Sequence, residues 1–367
     1  MAIRVALIGT GNCGSLALRQ LIEDPRFDLT GVWVSSEAKV GRDAGDLARL
    51  DVTTGVTAVN DLAAIIAAAP DCAVYCAMGD IRPREAMADV RALLEAGINV
   101  VGSSPGFLSY PWGVIGDHTI ERVENSARQG NASLFITGVD PGFVTDLLPL
   151  ALASTCQSIS QIRTMEIADY ATYDGATVMF DVMGFGLPVA QEVGDLPFLY
   201  QPGMLSAAWG VGIRQLAAGL GVPVDEIRDS VEQEPAPEDI DVAVGTIKKG
   251  TVAAVRFLIE GLVDGNPVIV VEHITRLRGD LRPDWAQPAQ EGGSYRVEIT
   301  GEPSYVMDIC PTSRNGDHNY AAILAAAGRI VNAIPDVVDA TPGIRTTLDL
   351  PLVTGNGTYR QSQISAG

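Results

Sequence analysis

The sequence predicts a two-domain α/β protein, in which a doubly wound parallel sheet is followed by an α+β domain on a mainly antiparallel sheet. Strand-like and helix-like segments alternate through residues 1–150, and a glycine-rich turn directly follows the first strand. Beyond about residue 152, apparent β-hairpins replace this alternation. The chain has 367 residues and is 47% hydrophobic, which is enough for two packed cores.

Hydrophobic periodicity defines the elements of residues 1–150. Short apolar runs rich in β-branched residues predict strands, and apolar residues spaced by three and four predict helices. Repeated strand–helix units predict a parallel sheet with helices on both faces. The predicted order is strand 3–8, helix 15–23, strand 29–34, helix 61–69, strand 72–76, helix 83–96, strand 99–101, helix 119–129 and strand 133–137.

Residues 151–320 are expected to form a substrate-binding and dimerisation domain, because an antiparallel sheet can leave one face for a second copy. The acidic segment 231–241 predicts a solvated loop. The alanine-rich segment 320–334 predicts a helix ended by Pro335, and we expect residues 321–367 to return to the first domain. The predicted strands are 161–167, the hairpin 252–262 and 267–275, and the hairpin 294–300 and 304–309.

Composition excludes several classes of partner. The 25 basic and 45 acidic residues give a formal net charge of −20, which opposes attraction to nucleic acid and to anionic lipid. The longest apolar stretches, 62–69 and 320–327, fall far short of the roughly 20 residues that cross a bilayer. The N-terminus enters a strand at once and has no signal-peptide pattern. We therefore expect a cytoplasmic protein without nucleic-acid or membrane partners.

Cysteine and histidine are sparse. Five cysteines are an odd number and too few for a disulfide scaffold, so we expect them to be reduced. The three histidines, His118, His273 and His318, show none of the spacings of metal-binding motifs. The sequence therefore predicts no metal site.

The clearest motif is a G-x-G-x-x-G segment that follows the first predicted strand and opens a helix. Gly9 allows the tight turn, Gly11 lets the backbone approach a diphosphate, and Gly14 lets helix and strand pack closely. The N-terminus of the helix would face the negative charge. The pattern predicts a Rossmann domain that binds a dinucleotide coenzyme at Gly9, Thr10, Gly11, Asn12, Cys13 and Gly14.

The end of the second strand bears on which coenzyme is bound. An acidic residue there would favour the free ribose hydroxyl of NAD, but this chain has Ser35 and Ser36, followed by Lys39. Hydroxyls and a cation suit the 2′-phosphate of NADP. Glu37, one position later, could still turn toward a ribose. We therefore expect NADP, with NAD as the alternative.

Three further loops follow strands, at the edge where the ligand of an open α/β sheet lies. Their small residues would let backbone groups reach the ribose and nicotinamide, although ordinary turns have the same composition. The residues expected to contact the coenzyme there are Ala77, Met78, Gly79, Ser103, Ser104, Asp140, Pro141 and Gly142.

Six segments spread over almost the whole chain carry a family resemblance: GTGNCG, KVGRDAGDLARL, GINVVGSSPGFLSYPW, GVDPGFVTDLLPLAL, GTVAAVRFLIEG and VNAIPDVVDATPGIRTTLDLP. In these segments the chain resembles the dihydrodipicolinate reductase-like superfamily, and within it the branch of native amine dehydrogenases and 2,4-diaminopentanoate dehydrogenases. The resemblance implies binding of NADP(H) or NAD(H) by the N-terminal domain. It also implies reversible reductive amination of ketones or aldehydes with ammonia, commonly by a dimer.

The chain departs from its relatives at informative positions. No H-H-x-x-K segment of the dihydrodipicolinate reductases is present, which excludes tetrahydrodipicolinate synthesis. The catalytic glutamate of the amine dehydrogenases aligns with Gly106 or a neighbour, and no carboxylate occurs between Asn99 and Trp112. Where the family has Asn-Pro-Gly, this chain has an aspartate, Asp140.

Reductive amination needs a hydride donor, an apolar pocket and a group that moves protons. Asp140 could move protons, or it could stabilise its turn or bind the nicotinamide amide. Tyr170 or Tyr173 could donate a proton, or could be pocket walls. The residues expected to line the substrate pocket are Gly106, Phe143, Tyr170, Tyr173 and Met204, with Phe185 and Trp209 as further aromatic candidates.

Two other functions remain open. The missing glutamate would permit a reductase that acts on a preformed imine or a carbonyl without ammonia. The chain could also bind NADP without turnover, as a sensor or scaffold.

Overall fold

The structure is a computed structural model, which describes residues 2–189 and 196–359. The chain folds into two compact units. The first comprises residues 1–108, 118–137 and 326–367, and the second comprises residues 109–117 and 138–325.

The first unit is built on a seven-stranded sheet in which every pair of neighbours is parallel. The strands are β1 (Ile3–Ile8), β2 (Phe27–Trp33), β3 (Ala58–Val59), β4 (Cys72–Tyr75), β5 (Asn99–Gly102), β6 (Ser133–Ile136) and β15 (Gly343–Arg345). Their order in the sheet is β15-β6-β5-β4-β1-β2-β3, so the chain order reverses between β1 and β4. Ligands of such sheets bind at this reversal, beyond the carboxyl ends of the strands.

The central strands are apolar along their whole length because helices cover both faces of such a sheet. All four residues of β4 are buried, as are the last four of β1. The helices are α1 (Asn12–Glu23), α2 (Ala44–Leu47), α3 (Leu62–Ala67), α4 (Pro83–Glu95) and α5 (Asp117–Gly130). The predicted parallel α/β domain is thus confirmed, and α2, β3 and β15 are additions to it.

The C-terminal helix α8 (His318–Val338) contains Pro335, so the prediction that this proline ends the helix is wrong. Ile334 and Val337 are fully buried on either side of it, and this packing offsets the lost backbone hydrogen bond. By length and composition α8 could cross a membrane, but its residues 326–338 supply Ala327, Ile330 and Val331 to the core of the first unit.

The second unit is built on a six-stranded sheet. The strands are β7 (Ser158–Asp169), β8 (Glu226–Pro235), β11 (Val252–Val263), β12 (Asn266–Arg276), β13 (Gly293–Glu302) and β14 (Tyr305–Ile309), and a separate ribbon pairs β9 (Ile240–Val242) with β10 (Gly245–Ile247). The order in the six-stranded sheet is β14-β13-β7-β12-β11-β8. Only the β7–β12 pair is parallel, which confirms a mainly antiparallel sheet.

The prediction of a solvated loop at 231–241 is wrong, because most of this segment belongs to β8 and β9. Exposed and half-buried residues alternate along β8, as an edge strand with one wet face requires. In the sequence this alternation is not visible as a change between apolar and polar residues, because most residues of the segment are acidic or polar. Helix α7 (Met204–Leu220) contacts β8, β11 and β12, while the short α6 (Leu148–Ala153) contacts β7 and β13.

Candidate functional site

In the first unit, the G-x-G-x-x-G turn lies between β1 and α1. Gly9 has φ of +94°, and a Cβ there would lie 2.6 Å from the backbone nitrogen of Ala77. A Cβ on Gly14 would lie 1.9 Å from the carbonyl oxygen of Gly9. The chain's own packing therefore requires glycine at both positions.

Gly11 differs from these two glycines. Among the described residues, a Cβ there would meet no atom within 4 Å, and the φ of −75° at Gly11 suits any residue. The first turn of α1 carries no acidic side chain, so its backbone N–H groups could receive an anion. The open space above Gly11 fits a diphosphate, and the turn fits a dinucleotide coenzyme.

Lys39 lies at the same turn. Its Nζ donates hydrogen bonds to the carbonyl oxygen of Thr10 at 2.9 Å and to the Thr10 hydroxyl at 3.0 Å. Ser35 and Ser36 are exposed after β2, while Glu37 accepts a 2.7 Å hydrogen bond from Asn60 Nδ2. The structure therefore brings a cation to the turn and gives the Glu37 carboxylate a partner of its own.

The loops after β4 and β5 also meet within the first unit. The backbone nitrogen of Gly79 donates to Ser104 Oγ at 2.8 Å, and that hydroxyl donates to Asp80 Oδ2 at 3.1 Å. Ala77 and Met78, also predicted to contact the coenzyme, lie in the same loop after β4, and Met78 is exposed. Gly106 donates its backbone N–H to Asp80 Oδ1 at 2.8 Å.

Asp80 is a carboxylate that no sequence motif marked as a site residue. A Cβ on Gly106 would lie 3.5 Å from its Oδ1. Burial raises the pKa of the Asp80 carboxyl, and hydrogen bonds from Gly106 and Ser104 oppose that rise. A carboxylate is thus present beside the position where the family resemblance implies a glutamate.

The second unit contains a buried group of three ionisable side chains: Asp140, Glu166 and His273. The ring nitrogen Nε2 of His273 lies 2.7 Å from Asp140 Oδ2, and Nδ1 lies 3.8 Å from Glu166 Oε1. The three side chains are between 3% and 8% exposed. We call these residues the acid–histidine cluster.

Strand register brings two members of the acid–histidine cluster together. Glu166 on β7 is paired with His273 on β12, and on its other side with Tyr295 on β13. Directly paired residues project from the same face of a sheet, so these three side chains form a row across it. Asp140 reaches the row from the irregular segment Val139–Leu147, where its backbone is extended.

The two carboxylates make His273 a cation. Burial alone would lower the pKa of its imidazole, but the negative charges of Glu166 and Asp140, with the hydrogen bond to Asp140, raise that pKa to about 9. Both ring nitrogens therefore carry protons at neutral pH, and Nε2–H donates to Asp140. Asp140 also accepts a 3.1 Å hydrogen bond from Trp209 Nε1.

Two tyrosines form hydrogen bonds with the Glu166 carboxylate. The Tyr170 hydroxyl donates to Glu166 Oε1 at 2.6 Å, and the Tyr295 hydroxyl also bonds to this carboxylate. Burial and the charge of Glu166 raise the pKa of both phenols, so both stay protonated. Tyr173 stacks on Tyr170, with ring centroids 5.0 Å apart.

One proton of the acid–histidine cluster has no acceptor within the described residues. Nδ1 of His273 is buried without a hydrogen-bond partner there, and 3.8 Å to Glu166 is too long for one. A buried N–H without a hydrogen bond destabilises the folded state, so its presence in a protein indicates a function. This N–H could donate to the oxygen of a bound substrate.

Of the residues predicted for the substrate site, the structure places some at the acid–histidine cluster and others elsewhere. Asp140 is itself a member of the acid–histidine cluster, Tyr170 contacts Glu166 of that cluster, and Trp209 lies with its ring centroid 4.6 Å from that of His273. Phe143 and Met204 are half-buried, at the Asp140 segment and at the start of α7. Phe185 is fully buried in the hydrophobic core of the second unit, to which Trp209 also belongs.

Sequence reasoning missed Glu166, His273 and Tyr295. An available signal was the presence of ionisable residues within otherwise apolar strands, in the segments TMEIA and VVEHIT. Burying such groups is costly unless they are paired or functional. The ligand atoms of the acid–histidine cluster also lie within 4.8 Å of one another, which is a spacing that metal sites use.

Comparison with known proteins gives consistent matches. The family model for the 2,4-diaminopentanoate dehydrogenase C-terminal domain matches residues 143–364. An amine dehydrogenase of Streptomyces virginiae is 38% identical over 98% of this chain and 99% of its own length. A 2,4-diaminopentanoate dehydrogenase of Acetoanaerobium sticklandii is 26% identical, over 95% of this chain and 94% of its own.

A solved structure shows the same fold. The amine dehydrogenase from Mycobacterium smegmatis superposes with a TM-score of 0.78, at 22% identity, over 98% of both chains. At this identity the likeness concerns the fold alone.

Proposed function

Because this chain belongs to the family of the amine dehydrogenases and 2,4-diaminopentanoate dehydrogenases, we propose that it catalyses reductive amination of a small ketone or aldehyde with ammonia, and the reverse oxidation of the amine. Family membership makes it an oxidoreductase that acts on amines with a nicotinamide coenzyme. The observation that carries the proposal is the N–H of His273 that lies between two buried carboxylates and has no partner among the residues that the structure describes.

The coenzyme, when bound, supplies a hydride to the substrate carbon. Gly9 and Gly14 would shape its binding turn, Gly11 would leave room for its diphosphate, and Lys39 would add positive charge. The residues of the second unit would carry out the proton transfers.

Proton transfer is needed because ammonia addition first gives a carbinolamine, whose hydroxyl must leave as water. His273 donates its Nδ1 proton to that hydroxyl, while Asp140 holds the opposite ring nitrogen and fixes the orientation of the imidazole. The charge of Glu166 favours the iminium cation that results. Once the iminium has been reduced to the amine, solvent would return the proton to Nδ1 of His273.

A direct assay tests this function. Oxidation of NADPH in the presence of a panel of small ketones and aldehydes should require ammonium, and mass spectrometry should find the amine. A chelator added in a parallel reaction should leave the rate unchanged, and loss of activity with the chelator would assign the acid–histidine cluster to a metal. Oxidation that proceeds equally well without ammonium would overturn the proposal.

That last outcome would favour the second candidate function, a carbonyl or imine reductase that uses no ammonia. The observation in its favour is Gly106, which stands where the family resemblance implies a glutamate. A third outcome, tight NADPH binding without oxidation of it by any carbonyl compound, would favour a non-catalytic NADP-binding protein.

We also propose that NADP is preferred over NAD. The support is the position of Lys39 at the turn, two exposed serines after β2, and a Glu37 carboxylate already bonded to Asn60.

Replacing both Ser35 and Ser36 by Asp should invert this preference, because carboxylates repel a 2′-phosphate and accept from a ribose hydroxyl. We expect the ratio of the two dissociation constants to change by about 100-fold, measured by fluorescence titration. Thr53→Asp, which adds charge at an exposed position of the same unit, should leave the ratio unchanged. A ratio unaltered in the double variant would count against the assignment.

We further propose a cytoplasmic homodimer without nucleic-acid or membrane partners. Its support is the acidic composition, the free cysteines and the sheet face opposite His273. On that face Arg163 and Arg256 both pair with Glu272, and charges of both signs suit a two-fold contact. Sedimentation at micromolar concentration should give twice the chain mass, and Arg256→Glu should shift the protein toward monomer.

A further inference from the structure

Trp209, on helix α7, contacts both members of the hydrogen-bonded pair Asp140 and His273. Its Nε1–H donates to Asp140 Oδ1 at 3.1 Å, while Oδ2 of the same carboxylate lies 2.7 Å from Nε2 of His273. The two oxygens of Asp140 are thus bound to different partners, and the carboxylate cannot turn without losing one of these hydrogen bonds. The Asp140 side chain is 3% exposed, so a lost partner would not be replaced readily by bulk water.

The indole ring of Trp209 also restricts the imidazole. Its centroid lies 4.6 Å from that of His273, with 48° between the two ring planes. Phe257 on β11 is the direct partner of His273 across the sheet, and its ring centroid lies 6.0 Å from that of Trp209. Trp209 therefore packs on two neighbouring side chains of one sheet face. An imidazole held by Nε2 alone could tilt about its hydrogen bond, and the indole limits that tilt on its own side.

Helix α7 is attached to the whole segment Val139–Leu147 that carries Asp140. Gln215 Nε2 donates to Asp146 Oδ2 at 3.3 Å, and both of these side chains are buried. The hydrogen bonds from Trp209 and Gln215 thus reach the second and the eighth of the nine residues of this irregular segment. The helix therefore fixes the segment near both ends, and Trp209 provides the attachment at the acid–histidine cluster.

We propose that Trp209 is a positioning residue for proton transfer by His273. Its N–H fixes the Asp140 carboxylate, its ring fixes the imidazole, and Nδ1 of His273 is thereby directed away from Asp140 and toward the substrate. Trp209 gives up no proton itself, because an indole N–H serves as a hydrogen-bond donor only. This role rests on the proposed function, in which His273 donates a proton, whereas the contacts of Trp209 do not depend on that function.

The N–H of Trp209 also affects the charge that His273 experiences. Within the described residues, the charged groups that face His273 are Asp140 and, on β7, Glu166. Phe257 on β11 and Trp209 on α7 are its uncharged neighbours. The N–H of Trp209 offsets part of the negative charge of Asp140. Removing this donor leaves a stronger negative charge beside the imidazole, which raises the pKa of His273 further.

Trp209→Phe tests the positioning role, because phenylalanine keeps an aromatic ring and lacks the N–H. We expect kcat for reductive amination to fall by about tenfold or more, since a misplacement of about 1 Å can cost about 100-fold. The alkaline limb of the pH profile of kcat should move upward by about half a pH unit. The dissociation constant for NADPH should change little, because the residues predicted to bind the coenzyme diphosphate belong to the first unit.

Trp285→Phe is the matched control. Trp285 is buried in the same unit, and its Nε1 has no hydrogen-bond partner among the residues that the structure describes. The same substitution should therefore leave kcat and its pH profile unaltered. Equal losses of kcat in the two variants would overturn the proposal, as would an alkaline limb that does not move in Trp209→Phe.

Tryptophan fluorescence of the parent protein provides a second measurement, which does not require that Trp209→Phe folds. A protonated imidazole quenches an adjacent indole, so emission should rise as the pH passes through about 9, where His273 loses its proton. We expect this rise in the parent and in Trp285→Phe, and we expect it to be absent in His273→Gln. Parent emission that stays constant over this range would overturn the proposal. A parent protein without ammonium-dependent activity would overturn the proposed function, while the titration would still report whether Trp209 contacts His273.

Discussion

His273→Gln should lower kcat for reductive amination by about 100- to 10,000-fold, the range that a positioned general acid supplies. The amide of glutamine can still donate toward Asp140, but it cannot give up a proton from the position of Nδ1. Its dissociation constant for NADPH should change little, because the residues predicted to hold the diphosphate belong to the first unit. Stopped-flow single-turnover measurements separate the chemical step from coenzyme binding.

The matched control is His118→Gln, which makes the same change at an exposed histidine and should leave kcat unaltered. Asp140→Asn should resemble His273→Gln, because it removes the carboxylate that orients the ring and stabilises its charge. If His273→Gln retained most of the parent activity, the acid–histidine cluster would have no part in proton transfer.

The pH dependence of stability tests the charge of His273 without any assay of activity. The pKa of the His273 imidazole is taken as its ordinary value of 6.5 in the unfolded chain and is about 9 in the folded protein, so the folded state binds this proton more tightly. The resulting stabilisation is fully present below about pH 6.5 and is lost as the pH rises through about 9. The free energy of unfolding, measured in urea, should therefore fall more steeply between pH 7 and 10 in the parent than in His273→Gln.

Local patterns explain why the first unit was predictable. Strand β1, the glycine turn and helix α1 follow one another in sequence. The apolar run 3–8 predicts a strand, the glycines predict a tight turn, and the spacing of apolar residues in α1 predicts a helix. The prediction for segment 231–241 was wrong because it, too, relied on local sequence alone. Its acidic residues and prolines predict a loop when read alone, although pairing with β11 makes residues 226–235 a strand.

The acid–histidine cluster could not be predicted, because its members meet only through strand register. Glu166 and His273 are far apart in sequence, and β7 and β12 are parallel neighbours that no hairpin connects. A shift of one residue in that register would turn one of the two side chains to the opposite face. Asp140 was predicted as a site residue because it lies in a glycine-containing turn after a strand. Its partner His273 belongs to no recognisable sequence motif, so it was not predicted.

Gly11→Ala should raise the dissociation constant for NADPH by about 100-fold, which is about 3 kcal/mol of binding free energy. The reason is that the added methyl group would occupy the space predicted for the diphosphate. The fold itself should tolerate the change, because no atom of the described part of the chain lies within 4 Å of that Cβ and φ at Gly11 is −75°. Calorimetric titration gives the affinity, and thermal unfolding without coenzyme should be unchanged.

Two further glycines make this prediction specific. Gly14→Ala should lose coenzyme affinity by a different route, because its Cβ would lie 1.9 Å from the carbonyl oxygen of Gly9. Such overpacking costs about 1–3 kcal/mol of stability, so its melting temperature should fall. Gly279→Ala should change neither property, because no atom of residues 2–189 or 196–359 lies within 4 Å of its Cβ. Parent-like NADPH affinity in Gly11→Ala would mean that the space above this turn does not receive a coenzyme, and the redox function would then lose its binding site.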